Sequence, residues 1–431
     1  MRGVPVRDGV SWLFLVASAW GALFTYNGFR PVERPSRRAA ISFFAGWLTT
    51  ELALHHLAWQ VLATAAFIRL GALGAWPGRI GLAITLVSWV GLIRLFTSAR
   101  SAEAVVEQAL VATLGPEYRS TIPPAIVEKF APRVDWQDLL LPFPIRHPEV
   151  ERIRNVVYAR AGNVDLKLDV YRHRSRPARC PTLLQIHGGA WILGSKNEQG
   201  VPLMVHLAAR GWVCVSADYR LSPRATFPDH LVDLKRALAW IRQHGPEYGA
   251  DPDFVVVTGG SAGGHLAALV ALTANEPEYQ PGFEHVDTSV QACVPFYGVY
   301  DFTDRNHVWQ HDGLLRLVER RVIKMPFARA PEAFERASPI AWIRPGAPPF
   351  FVIHGTRDTM VPIGEARHFV DVFRRVAGSP IVYAEISGAQ HAFEIFRSLR
   401  ALFVIHGVER WLAWVYGRHL AERGGRAVAV S

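Results

Sequence analysis

Phe254-Val-Val-Val-Thr-Gly-Gly-Ser-Ala-Gly-Gly-His-Leu-Ala-Ala-Leu-Val270 reads as a short apolar strand, a tight turn and the start of a helix. Within it, Gly259-Gly260-Ser261-Ala262-Gly263 fits G-x-S-x-G, in which a serine sits on a turn so sharp that its neighbours carry no side chain. Ser261 is therefore expected at the C-terminal edge of a sheet. There the N-terminus of the following helix offers free N–H groups and partial positive charge. The same glycines do not make a phosphate loop, because G-x-x-x-x-G-K-[ST] is absent and no Lys follows.

On either side the strand-then-helix pattern repeats. Thr182–Ile186, Val213–Ala217, Ala292–Phe296, Phe350–Ile353 and Ile381–Glu385 are short apolar runs, separated by helical segments such as Pro228–His244. Such alternation predicts an α/β fold with a mostly parallel, doubly wound sheet covered on both faces. Ile153–Arg160 and Val164–Arg172 add a hairpin turning near Gly162-Asn163.

Three further segments supply the chemistry a serine needs. Leu184-Gln-Ile-His187-Gly188-Gly189-Ala190-Trp191 ends a strand in a glycine-rich loop, where bare amides can approach an oxyanion. Gly188 and Gly189, with the amide of Ala262, are the expected oxyanion-hole donors. A hydroxyl is a weak nucleophile and requires a base and an orienting acid. Asp358 follows one strand and His391 follows the next, so both fall on the sheet edge that carries Ser261.

Among 17 histidines, His265 lies on the helix after Ser261 with its ring directed along the helix face, and His354 precedes Gly355 at a strand end. His307 and His311 share a helical spacing, but no Glu follows His307 as H-E-x-x-H demands. Asp371, Glu365 and Glu385 are alternative acids, the first two on a helix expected to be solvated. No metal and no cofactor are expected. Cys180, Cys214 and Cys293 are too few for a disulfide framework or a Cys₄ zinc site.

Residues 1–97 differ in character. Ser11–Phe29 is 19 residues without a formal charge, close to the length that crosses a bilayer. Ala39–Ile68 carries Glu51, His55 and His56, and Leu70–Ile93 is interrupted by Pro77, Gly78 and Arg79. Two to four membrane-embedded helices are expected, and no A-x-A site marks the first as a cleaved signal. With three spans, Arg30, Arg34, Arg37, Arg38, Arg94 and Arg100 face the cytoplasm together with the C-terminal domain, and Arg2, Arg7, Arg69 and Arg79 lie opposite. An amphipathic helix from Ser98 and a Pro-rich connector then occupy 98–149, ahead of the 150–431 domain. The net charge of +10 comes from scattered basic residues, so no nucleic-acid partner is expected.

The order Ser261, Asp358, His391 is that of the α/β-hydrolases. His187-Gly-Gly-Ala-Trp, Asp218-Tyr-Arg-Leu-Ser-Pro223 and Gly259-Gly-Ser-Ala-Gly-Gly-His-Leu266, with the Asp358/His391 pair, resemble the hormone-sensitive-lipase-like branch of that fold. Within it, membrane-anchored actinobacterial carboxylesterases and lipases look most similar. The resemblance implies an α/β-hydrolase domain and a serine carboxylester hydrolase working through an acyl-enzyme on a small-molecule or lipid ester. It assigns Ser261 as nucleophile, His391 as base and Asp358 as acid. It also implies that residues 218–223 order the loop beside the oxyanion hole. Many relatives read HGGG where this chain reads HGGA. An amide or formamide hydrolase, a prenylcysteine-type methylesterase, and a non-catalytic membrane binding module are the alternatives.

Overall fold

In the computed structural model of the chain, residues 6–32, 37–130, 134–143, 145–309 and 312–429 are described. Arg2, Arg34 and His311 fall outside them, and with His311 the histidine pair considered above.

The first helices are α1 (Val6–Phe29), α2 (Arg37–Glu51), α3 (Ala53–Arg69), α4 (Trp76–Ser98) and α5 (Ser101–Leu114). Short helices α6 (Pro124–Val127) and α7 (Trp136–Leu140) interrupt the connector. The C-terminal part holds α8 (Val201–Ala208), α9 (Asp229–His244), α10 (Ala262–Leu272), α11 (Gly313–Leu317), α12 (Pro331–Arg336), α13 (Ile363–Val376) and α14 (Leu399–Ala429). Its strands are β1 (Val150–Ala161), β2 (Val164–His173), β3 (Cys180–Ile186), β4 (Val213–Ala217), β5 (Ala250–Gly260), β6 (Ala292–Phe296), β7 (Phe350–Gly355) and β8 (Ile381–Ile386).

The eight strands form one sheet in the order β1-β2-β4-β3-β5-β6-β7-β8. β1, β2 and β4 pair antiparallel, and every later pairing is parallel, so the expected hairpin forms one edge of a doubly wound sheet. The apolar runs are continuous because successive residues face opposite covered sides. Leu184, Val255, Val257, Phe350 and Val352 join a core that also takes residues of α9, α10 and α13. Their neighbours Leu183, Val256, Phe351 and Ile353 join one shared with α5, α8 and α14. Ala102, Val106 and Leu110 of α5 are buried there, so this part of the expected connector packs on the sheet domain.

The N-terminal helices are built the other way round. Trp20, Leu62, Trp59 and Val87 are exposed, while Ser18, Thr25, Thr85 and Ser88 are buried. Thr25 and Ser88 hydroxyls lie 2.8 Å apart, Thr85 donates to Ser18 at 2.9 Å, and Ser11 donates to the Ala72 carbonyl at 2.7 Å. Glycines let α1 and α4 approach: a Cβ on Gly81 would stand 3.2 Å from the Leu15 backbone. Pro77 does not interrupt a helix; it lies in the first turn of α4, where its missing N–H has no intrahelical partner to lose. The apolar stretch from residue 39 to 68 does break, at Leu52, into α2 and α3. α1 and the continuous α4–α5 run, Trp76–Leu114, are long and apolar enough to cross a membrane.

Candidate active site

β5 ends at Gly260 and α10 begins at Ala262, which leaves Ser261 alone at the corner with φ 59° and ψ −122°. The corner is closed from both sides. A Cβ on Gly259 would stand 2.4 Å from the Gly263 carbonyl oxygen, and one on Gly263 would stand 2.2 Å from that of Ile186. Neither position admits a side chain. The Ser261 amide donates to the Phe296 carbonyl at 3.0 Å, tying the turn to β6.

The loop after β3 faces this serine: a Cβ on Gly188 would stand 3.2 Å from the Ser261 Cβ. Gly189, Ala190 and Trp191 all have positive φ, at 108°, 53° and 62°. The loop is braced from behind. Asp218 accepts from the Lys196 amide at 2.8 Å and from its Nζ at 3.0 Å, and Tyr219 donates to the His187 carbonyl at 3.0 Å while stacking on its ring. Of the three amides expected as oxyanion donors, Gly189 and Ala262 donate to no acceptor among the described residues, whereas Gly188 donates to Gln199 Oε1.

Asp358 follows β7 and His391 follows β8, and they meet: His391 Nδ1 lies 2.7 Å from Asp358 Oδ2. Because the carboxylate accepts, Nδ1 carries the proton and Nε2 is left as the basic nitrogen. The other carboxylate oxygen accepts from the Met360 and Val361 amides, each at 2.8 Å. Burial works to raise the Asp358 pKa, but the neighbouring His391 and His354 and the bonds they donate hold it well below the usual carboxylate range. Asp358 stays an anion. Gln390 Oε1 accepts from the Thr359 and His391 amides and so joins the two loops.

The ring of Tyr297 connects these halves. It lies 4.5 Å from the His391 ring, centroid to centroid, and its hydroxyl packs on Gly260, where a Cβ would stand 2.7 Å away. That hydroxyl accepts from Gln199 Nε2 at 3.3 Å and donates to Glu394 Oε2. A buried chain thus runs from the Gly188 amide through Gln199 and Tyr297 to Glu394. Burial pushes the Glu394 pKa up to about 7, against the Tyr297 bond and the His391 charge that pull it down. No motif marks Gln199, Tyr297 or Glu394 in the sequence.

The rival residues are structural. His265 is buried, accepts from Trp191 Nε1 at 3.2 Å and has Nε2 2.7 Å from the Ala337 carbonyl oxygen, so it faces away from chemistry. His354 holds the Val361 carbonyl at 3.0 Å and the flank of Asp358. Glu385 pairs with Arg367 at 2.7 Å. Glu365 is buried rather than solvated: it accepts from the Tyr300 and Asp301 amides and the Trp309 indole, and burial pushes its pKa up to about 8. Among the described residues no three His, Cys, Asp or Glu side chains cluster as a metal site would need.

The chain is similar to known carboxylic ester hydrolases and esterases. The BD-FAE family matches residues 168–373. The probable carboxylic ester hydrolase LipM of Mycobacterium tuberculosis is 42% identical, with 96% of each chain covered. Esterase LipQ of the same organism is 37% identical over 90% of this chain and 87% of its own. The butyrate-bound structure of esterase Est2 from Thermogutta terrifontis superposes with a TM-score of 0.51 at 31% identity, covering 64% of this chain and 95% of that one.

Proposed function

Because the chain belongs to the α/β-hydrolase carboxylic ester hydrolases represented by LipM and LipQ, we propose that its ester cleavage runs through Ser261, His391 and Asp358 by way of an acyl-enzyme. The observation that carries the reading is the 2.7 Å His391–Asp358 bond on the edge where the Ser261 turn is held.

Nε2 of His391 takes the Ser261 proton as Oγ attacks the ester carbonyl carbon. Charge gathers on the carbonyl oxygen, and the Gly189 and Ala262 amides stabilise it; Gly188, which donates to Gln199, shapes the loop and joins them if Gln199 releases it. Collapse of the intermediate breaks the bond to the alcohol, which leaves with the proton from His391. Water then repeats the sequence on the acyl-serine. Asp358 holds the imidazole in the required tautomer throughout and offsets its positive charge. Ala190 keeps its amide, so an HGGA loop loses no donor relative to HGGG.

The N-terminal helices fit a membrane anchor. A bundle with hydroxyls inside and tryptophan and leucine outside would be unstable in water, and it suits a lipid exterior in which small and polar residues join helices. We place α1, α3 and α4 across the bilayer, residues 98–149 at its surface, and the 150–431 domain on the cytoplasmic side, with a lipid-like ester as substrate.

The test is hydrolysis of matched ester, thioester and amide substrates by the purified full-length protein. Esters are expected to be cleaved fastest, with kcat falling about 10⁴- to 10⁶-fold in Ser261→Ala. Unchanged ester turnover in that variant would contradict the assignment, and amides cleaved faster than esters would move the enzyme to the amidase reading.

A further inference from the structure

α2 was expected to belong to the membrane-embedded region, yet it lies against the active site. Three contacts hold it there. At its start, Asn27 of α1 and Ser42 bond side chain to side chain at 2.5 Å, and the Asn27 amide donates to the Ser42 carbonyl at 2.7 Å. In its middle, Trp47 Nε1 donates at 2.9 Å to the carbonyl of Ala392, the residue after His391. At its end, Glu51 is buried in a pair with Arg400 and accepts from Ser398 at 2.6 Å. Such a helix is docked on the sheet domain rather than spanning.

Its docked face brings Phe43 to the His391 ring, centroid to centroid 6.2 Å, edge to face. Phe43 packs in parallel on Trp47 at 5.6 Å, and Trp47 on Phe396 at 4.7 Å, so the aromatic row continues to Phe396. The segments around the site also leave apolar side chains in the open: Phe44 on α2, Leu193 after the glycine loop and Met360 beside Asp358 are each more than half exposed. The Asn27–Ser42 clamp joins this aromatic row to the end of a helix whose outer face is apolar along its length. Phe43 itself is buried, 8% exposed, so the open apolar surface beside the site is that of Phe44, Leu193 and Met360, and it calls for an apolar occupant.

We infer that α2 is the acyl-chain wall of the active site, with Phe43 as its specificity-determining residue, and that it takes the long acyl chain of a lipid ester from the bilayer surface. The inference rests on the assignment of Ser261 as nucleophile and extends it. Bound substrate lays its carbonyl between Ser261 and the glycine loop and runs its chain past the buried Phe43 ring toward the exposed Phe44 and Leu193.

The experiment uses the full-length protein in nanodiscs and a long-chain alkyl fluorophosphonate bearing a diazirine along the chain. Phosphonylation of Ser261 reports the nucleophile on its own. After illumination, cross-links within residues 41–48 are expected. In parallel, Phe43→Ala is expected to lower the ratio of kcat/KM for dodecanoyl over acetyl esters about tenfold or more, with Phe43→Leu recovering part of it. Ser261 labelled, but with every cross-link inside the sheet domain or with the ratio unchanged in both variants, overturns the wall. If Phe43→Ala fails to fold, the cross-link map of the natural protein decides. Absence of label on Ser261 overturns the underlying assignment instead.

Discussion

Ser261 stands in a region of backbone space that side chains other than glycine rarely enter, at a cost on the order of 1–3 kcal/mol. The return is position: the hydroxyl is lifted clear of the sheet, next to amides that no side chain hides. Ala190 bears a similar strain at φ 53°, a conformation that glycine would hold at lower cost. Glu394 shows a different tension, since it is fully buried and close to the base yet must share one hydroxyl with Gln199. Its pKa is raised in the folded chain from 4.5 to about 7, so between those values the folded state binds more protons than the unfolded one. Stability from this group is therefore full below pH 4.5, declines as pH rises through the window, and is lost above 7. Glu394→Gln removes the dependence while keeping an oxygen for Tyr297. Its Tm relative to the natural protein is expected to rise steadily from pH 5 to pH 8. A difference that stays constant across that range would show that Glu394 does not titrate there.

At the scale of elements, the site is a set of loop ends fixed by strands: the glycine loop by β3, Ser261 by β5, Asp358 by β7 and His391 by β8. This frame is legible in the sequence because each group closes a continuous apolar run, and a parallel sheet puts all such ends on one edge. The cross-braces are not legible. Gln199 and Tyr297 meet across 98 positions and Tyr297 and Glu394 across 97, and none of the three stands in a pattern that period or spacing would flag. The docking of α2 is not legible for the same reason: its composition is that of a span, and only the fold reveals that Glu51 has a partner 349 residues away. The Glu51–Arg400 pair makes its own prediction. Glu51→Ala leaves a buried guanidinium uncompensated and is expected to cost about 3–5 kcal/mol, read as a lower Tm with faster hydrogen exchange over 41–51. Glu51→Leu combined with Arg400→Leu should recover most of that loss. If the double variant is as unstable as the single one, docking of α2 depends on something other than this pair.

Across the whole molecule, two opposite packing rules meet in one chain. The sheet domain buries its apolar side chains, whereas the helices before it bury hydroxyls and expose tryptophan, leucine and valine. Ser11 meets Ala72 at one end of the bundle, and Arg357 reaches the Gly28 carbonyl at the other, so α1 and α4 run between a distal end and the sheet domain. The proposed three-span layout follows this arrangement and puts Arg69 and Arg79 near the distal turn. Cys180, Cys214 and Cys293 are buried, so introduced thiols can be read without background. In sealed cells, Gly74→Cys is expected to react with a membrane-impermeant maleimide and Glu332→Cys to react only after lysis. Labelling of both from the same side would refute the layout.

Ester cleavage by this chain requires the Ser261 Oγ to be the nucleophile that becomes acylated, and intact-protein mass spectrometry after incubation with a fluorophosphonate, which phosphonylates that same oxygen with loss of fluoride, reads it. One phosphonyl group per chain is expected, mapped to the Ser261 peptide, absent in Ser261→Ala and strongly slowed in His391→Ala. A label on another residue, or a label that persists in Ser261→Ala, would contradict it.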